Sequence, residues 1–568
     1  MRGHITSKLL LGAWLLSGCA VGPDYRAPEP EVPARWHQPA EDGLVAGDAD
    51  VSEWWRLFQD DMLTDLIERA MKGNYDLRLA TLRIREARAT RSIAAGELLP
   101  SLTGQGSYRR SQASGQGLLA GGVKPPGKGA QFAGTVARGT ASSILSQSLE
   151  SAVPGAPGVT YSVANGLLGL IPSKTERLEP EAMDLFTTGF DASWEIDVFG
   201  GIRRNVESAD AYLAAAVEDC RGVQVSLLAE VAATYIDIRA LQAQIEVTRE
   251  NIELQKETVS LTRARFVAEL ASELDVRQAE ANLAATESEL PLLEAGLAIA
   301  IYRMGILIGQ EPAALYDELV IPRSIPQPPE ETLVGVPTDI LRRRPDIRAA
   351  ERRLAAETAR IGVAMSELYP RFTLSGTFGF EATDADRVWD ARSITYGFGP
   401  SVRWNIFDGL RNLNRIASQE AVTHQSYVIY QRTLLTALQE VESSLVTYKR
   451  EQTRRAALAR AVEAADRSVK LAEELYRNGL VDFQNVLDAQ RSLATLENQL
   501  AYSTGQIAIN LVALYKALGG GWSSEAVPQR EYLEDDSDAT HRPIEMFFSG
   551  GKDPLPWECV SEDAETAP

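Results

Sequence analysis

The groups in this sequence whose types and spacing could do chemistry are few, and none assembles into a catalytic set. Asp191, Glu195 and Asp197 stand close enough to suggest an acid and a base, but no nucleophile or closed pocket accompanies them. They alternate with Phe190, Ala192, Trp194, Ile196 and Val198, a period of two that makes them the wet face of a strand. His4, His37, His424 and His541 are scattered and suggest neither a metal site nor a triad. Gly122 to Lys128 has the spacing of a phosphate-binding loop. There Gly129 stands where Ser or Thr should hold magnesium, and Pro125 and Pro126 remove the backbone N–H donors that phosphates need.

The bulk properties narrow the class. The chain has 568 residues and a formal charge of −21, the wrong sign for a nucleic-acid binder. At the amino terminus, Arg2 and Lys8 precede an apolar run from Leu9 to Leu16, too short to span a bilayer but right for the core of a secretory signal. It ends in Leu16-Ser17-Gly18-Cys19, which resembles the lipobox of bacterial lipoproteins, so Cys19 is expected to carry a covalent lipid and residues 1–18 to be removed. Ala20 fits export to the outer membrane. Cys220 and Cys559 are too few for a disulfide scaffold or a four-ligand zinc site. No later stretch offers about 20 uninterrupted apolar residues, so no membrane-crossing helix is expected, and a chain tied to a membrane must sit on it or cross it with strands.

The elements that must position anything functional come in two copies. Residues 74–80 match 344–350, and Pro100 falls on Pro370, both at a shift of 270. Further on the shift is 210, placing Trp194 on Trp404, Phe266 on Tyr476 and Gly309 on Gly519. The chain therefore reads as a duplication, 62–310 and 335–520, with about 60 extra residues in the first copy. Each copy predicts a helix, two strands, a long helix, a turn and a return helix. Phe372, Leu374, Gly376, Phe378 and Phe380 alternate with polar or small residues, and a partner strand runs from Ile394 to Ile406. One aromatic face and one polar face over about ten residues is the pattern of a transmembrane barrel strand, although any half-buried sheet alternates as well.

Between strand and turn, no proline interrupts Gly201 to Val267, and Val231, Ile238, Ile245, Ile252, Val259 and Phe266 recur every seven residues, a coiled-coil seam. A helix of that length extends roughly 100 Å at 1.5 Å per residue and must pack sideways against others. Four strands cannot close a barrel, and open edges in hydrocarbon leave backbone groups unpaired. The chain must associate with copies of itself, as eight strands from two chains or twelve from three.

The lipobox, the duplicated layout, the strand ends at Trp194 and Trp404 running into Asp197-Val198-Phe199-Gly200 and Phe407-Asp408-Gly409, and the tip-and-return segments resemble the TolC-type outer-membrane efflux proteins. The likeness is to the NodT-like lipoprotein branch that serves resistance-nodulation-division (RND) pumps. The resemblance implies an α+β membrane protein: a homotrimer with a twelve-stranded β-barrel, four strands per chain, continuous with a long antiparallel α-helical coiled-coil barrel. It implies a protein that is not an enzyme, lipid-anchored, spanning the outer membrane and projecting into the periplasm. Its partners would be a periplasmic adaptor (membrane fusion) protein and an inner-membrane RND transporter, and it would act as the passive exit duct of a tripartite pump for small toxic compounds or drugs. A type I secretion exit channel and a periplasmic coiled-coil scaffold without a pore are the competing readings.

On that reading, residues 19–61 are an acylated linker, 111–187 an extracellular insertion, 311–334 an equatorial linker and 521–568 an acidic, disordered tail. The adaptor-docking tips are Val267, Glu269, Leu270 and Ser272 in the first copy and Arg477, Asn478, Gly479 and Leu480 in the second. Gln484, Asn485 and Asp488 follow the second tip and would ring the tunnel at its periplasmic aperture. The family's aperture aspartate falls on Asp488, whereas Asn485 stands where some relatives carry a second acid, which leaves the charge of the gate open. A ring of carboxylates would attract cations and, by mutual repulsion, raise its own pKa values.

Overall fold

The computed structural model describes residues 20–30, 32–37, 44–46, 51–112, 182–329, 332–334 and 337–522. Cys19, Cys559, His4, His541, the phosphate-loop lookalike at 122–128 and the tail from 523 onward lie outside the described residues. The chain divides into two compact units, one of 1–26, 87–212 and 354–425, the other of 27–86, 213–353 and 426–568.

The first unit is built on a four-stranded antiparallel sheet in the order β2-β3-β5-β6, with β2 at Ser101–Gln112, β3 at Ala182–Ile196, β5 at Arg371–Ala382 and β6 at Ile394–Arg403. The first two strands run further into the 111–187 insertion than the sequence suggested, because Ser111↔Met183 and Gln112↔Ala182 still pair. The register puts Leu102, Phe190, Phe378, Tyr396 and Phe398 on one side, all exposed. Thr103, Asp191 and Thr377 occupy the other, so the alternation sorts aromatic from polar residues across the whole sheet. Gly189 pairs with Gly379, and a Cβ at Gly189 would lie 2.6 Å from the Gly379 Cα, so only glycine permits this backbone approach.

The strand ends are pinned twice by the same device. The indole of Trp194 donates to the Leu98 carbonyl at 2.9 Å, and that of Trp404, just past β6, donates to the Leu368 carbonyl at 3.0 Å. Asp197 departs from the sequence reading. It lies beyond the end of β3, and its carboxylate accepts from the backbone N–H of Arg203 at 2.9 Å, capping the next helix instead of continuing the polar strand face.

The duplication is visible in element lengths. Helices α3 (Gly201–Val267) and α8 (Arg411–Arg477) have 67 residues each, and the return helices α4 (Glu273–Leu307) and α9 (Phe483–Ala517) have 35 each. The seam of α3 is buried from Val231 to Val259, but Phe266, its expected last member, is exposed near the tip. Contrary to expectation, α4 is long and apolar enough by composition to cross a membrane. Its apolar residues divide between the core, through Ile301 and Met304, and an exposed stripe of Leu292, Ile299 and Ile306.

The stretch read as linkers is packed structure in the second unit. Trp54 is fully buried and stacks on Tyr515 with ring centroids 5.5 Å apart, and Leu44–Ala46 (β1) pairs in parallel with Thr332–Val334 (β4). The chain stays packed slightly past the expected end of the second copy: the Gly521 N–H donates to Val51 O, and Trp522 lies under the guanidinium groups of Arg221 and Arg348.

Where α3 meets α9, the packing turns polar. Asn251 donates to Glu497 at 2.9 Å, and Gln490 donates to Thr258 at 2.8 Å. Burial raises the Glu497 pKa against the opposing effect of the Asn251 bond, and the charges of Glu250 and Asp466 raise it further. The ionised form is thus disfavoured in the folded state. Stability from this group is complete below the unfolded pKa and is lost as pH rises through the folded one. Glu497→Gln, which keeps an acceptor for Asn251, is expected to raise the melting temperature at pH 8, with the gain shrinking as pH falls toward 4; an equal gain at both ends would contradict the assignment.

Candidate functional site at the helix tips

Both long helices end in the same hydrogen-bonded turn. At the first, the N–H of Leu270 reaches the Arg265 carbonyl at 2.8 Å and that of Glu269 reaches Phe266 at 2.9 Å. At the second, Leu480 reaches Leu475 at 2.9 Å and Gly479 reaches Tyr476 at 2.9 Å. This pair of bonds satisfies the last carbonyls of a helix and requires one residue in the left-handed region. Gly479 meets that need at φ 72° without strain, whereas Glu269 meets it at φ 59° with a side chain attached. Ser272 then opens α4 with a reciprocal cap, its hydroxyl accepting from the Asp275 N–H while the Asp275 carboxylate accepts from the Ser272 N–H. At the matching place in the second copy, Asp482 makes no side-chain cap.

The turns leave Val267, Leu270 and Leu480 as exposed apolar groups at the ends of otherwise charged helices. Such groups stay in water only at an energetic disadvantage, which a partner surface would remove. Arg477, Asn478 and Gly479 are exposed alongside them, and Asn478 turns its amide back onto the Glu474 carbonyl.

The two tips are tied by a residue the sequence did not single out. Arg265 donates to the Arg477 carbonyl at 2.9 Å, and its guanidinium lies 4.6 Å from the centre of the Tyr476 ring. Tyr476 packs on Phe483, with centroids 5.3 Å apart, in a small core with Val259, Val486 and Leu487. No pattern could have revealed Arg265, because its partner is a backbone oxygen 212 residues away.

Gln484, Asn485 and Asp488 are all exposed at the start of α9. The structure joins only two of them: Gln484 donates to the Asp488 carboxylate at 2.9 Å, while Asn485 turns back to the Asp482 carbonyl at 3.3 Å. A groove of 380 Å³ between α3 and α4 lies close by, lined by Lys256, Arg263, Glu280 and Glu287. Its rim is charged, and the Arg263 hydrogen bond, at 2.5 Å, lowers the Glu280 pKa.

The residue expected to carry the lipid lies outside the described residues, but its neighbours are fixed within the first unit. Val21 donates to the Phe199 carbonyl at 3.0 Å, and the buried Arg204 bonds Val21 O at 3.1 Å, Gly22 O at 3.2 Å and Asp24 at 2.7 Å. Gly22, at φ 99°, sits where a Cβ would lie 2.4 Å from Gly362. The chain leaving Cys19 is therefore held against the first turn of α3, next to the end of β3.

The profile of the outer membrane efflux protein family matches residues 157–310 and 336–520. Nodulation protein T of Rhizobium leguminosarum bv. trifolii is 31% identical over 513 residues, covering 90% of this chain and 96% of that protein. The antibiotic efflux pump outer membrane protein ArpC of Pseudomonas putida is 28% identical over 527 residues, covering 91% and 95%. Among solved structures, the outer-membrane channel OprN superposes with a TM-score of 0.73 at 33% identity, over 89% of this chain and all of that one.

The two turns make opposite demands on substitution. Gly479→Ala is expected to lower stability by about 1 kcal/mol and Glu269→Gly to raise it by about 0.5–1 kcal/mol, since only the first introduces a side chain at positive φ. Chemical denaturation of the single variants reads both, and equal effects would refute the difference in strain.

Proposed function

The chain belongs to the outer membrane efflux protein family, and on that premise we propose that three copies form the exit duct of a tripartite pump. It is an outer-membrane efflux protein of the TolC type, with four strands per chain, located in the outer membrane and the periplasm. The observation that carries the assembly is the sheet itself. Its outer strands, β2 and β6, each have one edge with no partner strand among the described residues, and the strand directions alternate, so β6 of one copy can pair antiparallel with β2 of the next. Three such sheets give twelve strands, with the aromatic face toward lipid and the polar face toward water.

The helices support the same conclusion. Leu292, Ile299 and Ile306 on α4 repeat every seven residues and are 75%, 67% and 63% exposed, a coiled-coil seam without a partner among the described residues. A neighbouring copy would cover it. In the duct, Val267, Glu269, Leu270 and Ser272, with Arg477, Asn478, Gly479 and Leu480, meet the periplasmic adaptor, the exposed leucines supplying apolar contact. Gln484, Asn485 and Asp488 line the aperture, with Asp488 the one carboxylate among them. Cys19 carries the acyl anchor, and the packing of residues 20–24 by Arg204 supports its attachment where strand gives way to helix. The protein works passively, with energy supplied by an inner-membrane transporter of the resistance-nodulation-division class. The cargo is small toxic compounds, in keeping with the antibiotic efflux role of the Pseudomonas putida relative.

Purified protein is expected to run as a trimer in mild detergent, dissociating in SDS, and to conduct ions in planar bilayers. Leu292→Glu combined with Ile299→Glu is expected to give monomers that keep their helical circular dichroism. A wild-type protein that is monomeric and fails to insert would end the proposal. In cells, deleting the partner pump is expected to abolish the chain's effect on drug tolerance; unchanged tolerance would rule out the efflux role.

A further inference from the structure

Between α4 and α9 lies a cavity of 720 Å³, floored by α3, in which polar side chains and the Glu289 carboxylate stand beside Leu292 and Leu293. Gln244 and Gln255 come from α3, Asn282 and Thr286 from α4, Arg491 and Thr495 from α9. Two of these groups are buried and incompletely bonded. Gln255 is 2% exposed with its Oε1 unpartnered, and Asn282 is 5% exposed with its Nδ2 unpartnered. The Asn282 Oδ1 accepts from Arg491 Nε at 2.6 Å, which holds the guanidinium against the cavity with its two Nη groups unbonded among the described residues.

Buried polar atoms without partners call for an occupant, and the pattern of vacancies specifies it. Asn282 Nδ2 and the Arg491 Nη pair are donors that want an acceptor, and a planar guanidinium fork matches a carboxylate. Gln255 Oε1 is an acceptor that wants a hydroxyl or amine. We propose that this trench binds a small hydroxycarboxylate, its carboxylate on Arg491 and Asn282 and its hydroxyl donating to Gln255. A volume of 720 Å³ lies within the range of small-molecule sites.

The position of the trench links it to transport. Asp488, Thr495 and Tyr502 follow one another on α9 at intervals of seven, and the latter two line the trench. This step rests on the duct reading, which assigns Asp488 to the tunnel wall: the α9 side of the trench then faces passing cargo, while Leu292 on its α4 side lies at the seam with a neighbouring copy. In a chain whose net charge is −21, and with Glu289 on the same wall, Arg491 is the one cation among the described residues that line the trench and so the group on which an anion would pause.

Citrate is the probe, with glucose as a neutral polyol, titrated into purified detergent-solubilised protein by calorimetry and by saturation-transfer NMR. One citrate per chain is expected, with affinity reduced about tenfold or more by Arg491→Gln and by Gln255→Leu, and no binding of glucose. Arg491 is exposed and its side chain makes a single hydrogen bond among the described residues, so its variant is expected to fold even if the buried substitution does not, and circular dichroism checks both. Unaltered citrate affinity in Arg491→Gln, equal binding of glucose, or no citrate signal from folded protein would each overturn the proposal, the last leaving a trench filled by water alone. The assay needs no membrane, so failure here leaves the duct reading standing. Citrate binding by a protein that never conducts would refute the duct and not the trench.

Discussion

A hydrocarbon bilayer offers no hydrogen bonds, and this single fact governs the chain. The sheet β2-β3-β5-β6 pairs its inner strands completely and leaves two edges open. Each open N–H or carbonyl in lipid is unfavourable by several kcal/mol, far more than a side-chain contact returns, so the edges must find each other on different chains. Everything on the sheet is consistent with that closure. Aromatic residues line the lipid side, small polar ones the water side, and the glycine pair at Gly189 and Gly379 draws β3 and β5 together where any side chain would hold them apart.

The helices obey a different rule, because water surrounds them. There the driving force is burial of a heptad seam, and it weakens toward the tips: Val231 and Ile238 are fully buried, Phe266 is not. Further along, buried hydrogen bonds join the apolar packing, through Asn251 with Glu497 and Gln490 with Thr258, and at the tips the small core around Tyr476 and Phe483 is joined by Arg265 bonded to a carbonyl of the opposite turn. Each such bond contributes about 1 kcal/mol net, and a buried partner left unpaired costs more than that.

The architecture was legible because it rests on periodicity. A period of two located the strands, a period of seven located the long helix of the first copy, and a shift of 210 related the copies, all of which survive averaging over many residues. Individual contacts were not legible. Asp197 looked like one more wet strand residue but caps α3, since a helix start one turn later captures its carboxylate. Trp54 and Trp522 lay in stretches that carry no repeat, and the packing that buries the first and half-buries the second depends on residues hundreds of positions away. Of Gln484, Asn485 and Asp488, the sequence could place all three on one helix end, but which pair would bond depended on rotamers, and Asn485 turned to the backbone instead.

Duplication followed by divergence has left the two turns unlike in one respect. The first carries a carboxylate on the left-handed residue, Glu269, and the second carries a bare glycine. Around a closed ring these would alternate, so a protein approaching from below meets a crown whose successive points differ in charge and in rigidity. A partner with one repeated binding element must either ignore that difference or sort itself by it, which would give the junction a rotational register as well as an affinity.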